Sequence, residues 1–145
     1  MKLVPRFAFF VAGTGTHHDR LHAFEKALQG AGPIAHNLVA VSSILPAKCK
    51  IITPEKGFNM LTPGAITFCV MAREDVRQKG RWASASIGVA RIRGPNRVGY
   101  LSEYHGCAPG KEKAAAIARR LAREMLKTKF DLSTRHAEWD EAEGA

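Results

Sequence analysis

The sequence predicts an α+β domain built in layers, and three observations carry that expectation. Apolar runs at residues 7–12, 38–41 and 65–72 read as short strands. Residues 82–104 hold two alternating runs joined by Gly94-Pro95-Asn96, the pattern of an antiparallel hairpin. Separate segments have helical period, the longest running from Lys111 to Lys129. Strands in hairpins with helices set apart define an α+β architecture. The 145 residues make one domain with no repeat and no interdomain linker.

Taken in order, the basic start Met1 to Arg6 and the short apolar run Phe7 to Ala12 faintly imitate a signal peptide. The stretch Gly13-Thr14-Gly15-Thr16-His17-His18 that follows fits a first strand and a loop instead, so a cytoplasmic chain is expected. The third glycine of a dinucleotide loop is missing from this stretch. Asp19 can cap a helix from Arg20, with Leu21, Phe24, Ala27 and Leu28 on one face and Gly30-Ala31-Gly32-Pro33 ending it. A strand over Leu38 to Val41 stops at Pro46, and Lys48 to Ile52 is expected to form another. Thr53-Pro54-Glu55-Lys56 reads as a helix start leading to Met60.

Pro63-Gly64 turns the chain into a nearly continuous apolar strand from Ala65 to Ala72, and Arg73 to Arg81 reads as a charged, exposed loop. Along Trp82 to Ile92, small residues (Ser84, Ser86, Gly88, Ala90) share one side, which predicts close packing against another layer or subunit. In the long helix Ala114, Ile117, Ala118, Leu121, Met125 and Leu126 form the apolar face. The tail Glu138 to Glu143 is acidic and is expected to be loosely held.

Composition limits the function classes. No apolar run reaches the roughly 18 residues that span a membrane. Cys49, Cys69 and Cys107 are widely spaced, so reduced thiols are expected rather than disulfides or a zinc site, with Cys69 in a buried strand. The net charge of +9 would suit nucleic acid, but no aromatic residues are interleaved with the basic runs, and a solvated helix face accounts for them.

The segment Asn37-Leu38-Val39-Ala40-Val41-Ser42-Ser43-Ile44-Leu45-Pro46 is different. Two adjacent serines stand where a buried strand would continue its apolar run, and buried hydroxyls need partners. Either they bond to a neighbouring loop, or the Ser42–Ser43 peptide bond is made to break. Taken alone, Asn37 can be a turn residue, Glu25 an exposed acid beside Lys26, and Glu103 a carboxylate at a strand end.

This segment resembles the self-cleavage site of the pyruvoyl-dependent arginine decarboxylases. In family order, further matches are Gly13-x-Gly15-x-His17-x-Asp19-x-Leu21, Phe24-Glu25-x-Ala27-Leu28, Pro63-Gly64, Ala85-Ser86-Ile87-Gly88-Val89 and Gly99-Tyr100-Leu101-Ser102-Glu103. Together they span about Phe9 to Leu126. The resemblance implies an αββα-type layered sandwich assembled as a trimer or a dimer of trimers. It implies cleavage between Ser42 and Ser43 into a β chain, 1–42, and an α chain, 43–145, whose Ser43 becomes a covalent pyruvoyl group. That group would form a Schiff base with L-arginine, without pyridoxal phosphate and without a metal, and agmatine and CO2 would leave.

Asn37 matches the donor to the oxyanion of self-cleavage, and Glu103 the proton donor to Cα, a task for which burial would suit it. Glu25 matches the acid that binds the guanidinium, with Ser42 also at the substrate site. His17, His18 and His22 are read as loop or helix-surface residues, not as metal ligands. Nucleic acid and membrane are not expected as partners. Two alternatives remain open: the same chemistry on another amino acid, and a non-catalytic paralogue or structural subunit with the same fold.

Overall fold

The structure, a computed structural model, describes residues 1–94, 96–130 and 139–144. In chain order its elements are β1 (Phe7–Ala8), α1 (Arg20–Ala31), β2 (Asn37–Ala40), β3 (Ile44–Leu45), β4 (Lys50–Ile51), α2 (Pro54–Asn59), β5 (Ile66–Cys69), β6 (Ser84–Ile92), β7 (Gly99–Gly106), α3 (Lys111–Phe130) and β8 (Trp139–Gly144). The α+β class is as expected. Pro95 and Glu138, parts of the expected turn and tail, lie outside the described residues.

Local chemistry starts the helices where expected. The Asp19 carboxylate accepts from the His22 amide at 2.8 Å to cap α1. Thr53 caps α2, with Pro54 at the first helical position. Gly32 ends α1 at a φ of 145°, where a Cβ would meet the Phe58 ring.

The best-packed part is the antiparallel sheet β3-β7-β6-β8 with α3 against one face. Small residues let the helix approach: a Cβ on Gly88 would lie 2.0 Å from the Ala118 carbonyl oxygen. Ser102 donates its hydroxyl to that same carbonyl. Ala90, Ala122 and Leu126 form the core on this face, bordered by Ile92 and Tyr100. The other layer expected from the small side of residues 84–92 is therefore α3. On the opposite face Leu45, Cys49, Val89 and Leu101 form a second core, bordered by Ala8, Phe10, Val70 and Ile87.

Two pairs of strands stand apart from this sheet, β1 beside β4 and β2 beside β5, both parallel. Three expectations change here. The run from Phe7 to Ala12 forms only the two-residue β1. The segment before the serines is not a buried strand: Val39, Ala40 and Val41 are exposed, and Cys69 is half-buried rather than buried. Among the described residues these strands pair only within their own pairs, and Val39, Ile66 and Phe68 on one face of β2 and β5 are exposed. The acidic tail, expected to be loose, instead pairs with β6 as β8, with Asp140 in register with Arg91. That pairing covers what would otherwise be an open edge of the main sheet.

Candidate active site

The Ser42–Ser43 bond lies at a seam between two separately anchored sheets. On its N-terminal side, the Val41 amide donates to the Cys69 carbonyl at 2.9 Å and extends the β2–β5 ladder. On its C-terminal side, the Leu101 amide donates to the Ser43 carbonyl at 2.7 Å. Ile44 then pairs with Tyr100, and the Leu45 side chain is fully buried. Ser42 is exposed and Ser43 half-buried, so neither hydroxyl is forced to find an internal partner.

Glu103 stands two residues beyond Leu101 on β7, roughly 7 Å along the strand and on the same face. Its carboxylate acts on the Cys69 thiol: burial first, and the Glu103 charge second, push that thiol above its ordinary range. The ends of β5 and β2, the start of β3 and the middle of β7 thus meet around the two serines. Glu103 itself is exposed in this chain, where burial was expected.

Asn37 and Glu25 are placed differently. Asn37 is at the far end of β2 from the serines, roughly 17–20 Å away along an extended strand. Its Nδ2 donates to the Gly64 carbonyl at 2.8 Å. An open hollow of about 440 Å³, lined by Gln29, Gly32, Pro33, Ile34, Ala35 and Pro63, also adjoins that end of β2. Glu25 is exposed on α1. The backbone of Gly13 and Gly15 packs so closely on α1 that a Cβ on either would lie about 2 Å from the Ala27 or Ala23 carbonyl oxygen. That contact explains the glycines without any phosphate to cradle.

Sequence reasoning missed the segment 73–75, which it read only as part of a charged loop. The Arg73 guanidinium sits 4.0 Å from the Phe24 ring centroid and donates from Nε to Asp75 at 2.9 Å. Arg20 on α1 donates to the same carboxylate at 3.1 Å. Hydrogen bonds from Arg73, helped by Arg20 and opposed by slight burial, hold the Asp75 carboxyl below the usual range. Nothing in the spacing of Arg73 and Asp75 signals a contact with residue 20. The His17 ring stacks on His22 at 3.9 Å and lies tilted against His18 at 4.1 Å. Among the described residues, no group of side chains is arranged to hold a metal ion.

Comparison with known proteins identifies the family. The family model for pyruvoyl-dependent arginine decarboxylase matches residues 7–144. The chain belongs to this family. It is 42% identical over 127 residues to "Pyruvoyl-dependent arginine decarboxylase 1" of Methanosarcina acetivorans, covering 88% of this chain and 77% of that one. A relative of the same name from Archaeoglobus fulgidus is 46% identical over 130 residues, 90% of this chain and 82% of that one. A "Probable pyruvoyl-dependent arginine decarboxylase" of Chlorobium phaeovibrioides is 43% identical over 145 residues, covering 99% and 80%. The seam at Ser42–Ser43 therefore lies in a chain whose family is named for a pyruvoyl group.

Proposed function

We propose that this chain is a self-processing lyase that converts L-arginine to agmatine and CO2, as a single domain cleaved into segments 1–42 and 43–145. The observation that carries the reading is the Ser42–Ser43 bond, set between two independently anchored sheets in a chain of this family. Cutting it leaves Ser42 tied through β2 to β5, and Ser43 tied through β3 to β7.

In processing, the Ser43 hydroxyl attacks the Ser42 carbonyl and turns the amide into an ester. β-Elimination releases Ser42 as a carboxylate and leaves dehydroalanine at position 43. Addition of water then expels ammonia and leaves a pyruvoyl ketone. A primary carboxamide has two N–H donors. With one of them on Gly64, the Asn37 amide is fixed in direction and its second N–H is left for an oxyanion. Given the span of β2, that oxyanion belongs to a neighbouring copy.

Residue 43 suits the mature group because the Leu101 amide fixes its carbonyl while its side chain is only half-buried. Bound to the substrate amine, the ketone is the electron sink for the carbanion formed when CO2 leaves. Glu103 delivers a proton to Cα, Glu25 offers the guanidinium two oxygens, and the new Ser42 carboxylate borders the substrate. The assembly is an αββα layered sandwich in a trimer or a dimer of trimers. The exposed side chains of Val39, Val41, Ile66 and Phe68 on β2, β5 and the Val41 extension support it. A cytoplasmic setting suits three free thiols.

The test is agmatine and CO2 release from L-arginine by the purified chain. Glu25→Gln is expected to raise KM for arginine at least about tenfold, as loss of a charge-assisted pair should. Unchanged arginine turnover by that variant would remove Glu25 from the site.

A further inference from the structure

Helix α1 carries the proposed guanidinium acceptor yet has no fully buried residue, and Leu21 on its expected apolar face is exposed. Its position depends on loops. On one side the Gly13–Gly15 backbone touches the carbonyls of Ala23 and Ala27. The 73–75 segment supplies a further hold, through Phe24 under the Arg73 guanidinium and Arg20 on Asp75. The same segment reaches the main sheet, where Glu74 Oε2 lies 3.5 Å from His105 Nδ1. His105 is two residues from Glu103 on the same face of β7.

We infer that Asp75, held between Arg73 and Arg20, is a positioning residue that sets where Glu25 stands relative to β7, and so the length of amino acid the site accepts. The inference rests on the reading of Glu25 as guanidinium acceptor. A single exposed ion pair contributes little, but this carboxylate joins two guanidiniums. Arg73 grips it through Nε at 2.9 Å and Nη2 at 3.3 Å while covering an aromatic ring next to Glu25 in sequence. Whether Glu25 completes the site of its own chain or of a neighbour, the strut fixes its direction. Small errors in such placement cost binding steeply.

The test compares the self-processed wild type with Asp75→Asn and Asp75→Glu, using arginine and homoarginine, which is one methylene longer. Asp75→Asn is expected to be cleaved normally and to keep kcat within about twofold. It should raise KM for arginine about tenfold and weaken the preference for arginine over homoarginine, with Asp75→Glu recovering part of both. If Asp75→Asn fails to fold, Arg20→Gln removes only the limb to α1 and should give the same KM and selectivity change.

Unchanged KM and selectivity in a folded variant would overturn the inference, as would a fall in cleavage and kcat with KM constant. A wild type that is cleaved but inert toward arginine would overturn the reading of Glu25 and this inference together. An arginine-active wild type with an indifferent Asp75→Asn would overturn the inference alone.

Discussion

The two sides of the seam are finished to different degrees. Around α3, β6 and β7, Val89, Ala90, Ala118, Ala122 and Leu126 are at most 1% exposed. Along β2 and β5, Val39, Ile66 and Phe68 are 40%, 68% and 42% exposed, although the same residue types predominate. The first region is a core that one chain completes. The second leaves apolar side chains open to solvent on one face. The bond proposed to break joins the two. The chain thus has a well-packed platform for residue 43 and a second sheet that, in the proposed trimer, other copies would cover.

This contrast can be broken first from the platform side. Leu126→Ala would leave a cavity where nothing can collapse easily, and should cost about 2–5 kcal/mol in denaturant unfolding. A loss below about 1 kcal/mol would mean that the α3 layer is looser than its packing indicates.

From the other side, Val39→Asp with Phe68→Asp should change far-UV circular dichroism little and abolish association in sedimentation velocity. Both side chains are solvent-facing in the single chain and covered in the proposed trimer. A double variant that still assembles would place the interface elsewhere.

The smallest effect sharpens the seam itself. Burial and the Glu103 charge keep the Cys69 thiol protonated beyond its usual range, so its alkylation should be slow near pH 8 and rise only at higher pH. Because Glu103 raises this pKa, Glu103→Gln should increase the thiolate fraction and speed alkylation a few-fold at fixed pH. An unchanged rate would separate the two residues.

Much of this was legible in the chain, where the information is local. The Asp19 and Thr53 caps, the period of α3, the hairpin of β6 and β7, and the small residues facing α3 each follow from neighbours in sequence. The serine pair was legible as an anomaly, and the ordered motifs around it pointed to the family that the comparisons show. What stayed hidden depends on distant partners. The β2–β5 pairing joins residues 37–40 to 66–69, and no local pattern encodes the exposure of Val39, Ile66 and Phe68 on those strands. The pairing of β8 with β6 sets acidic residues in a ladder that β-propensity would not favour. Asp75 meets Arg20 across 55 positions, a contact no local pattern encodes. Glu103 was singled out by motif, but the burial expected of it depends on surrounding segments that the motif does not encode, and in the chain it is exposed.

The central claim is that the Ser42–Ser43 bond breaks itself and leaves a ketone. It is tested most directly by intact mass under denaturing conditions, with and without a carbonyl reagent. The account predicts two fragments split between Ser42 and Ser43, only the larger gaining mass with the reagent, and a single uncut, unreactive chain for Ser43→Ala. A wild-type chain that stays whole after purification and prolonged incubation would contradict it.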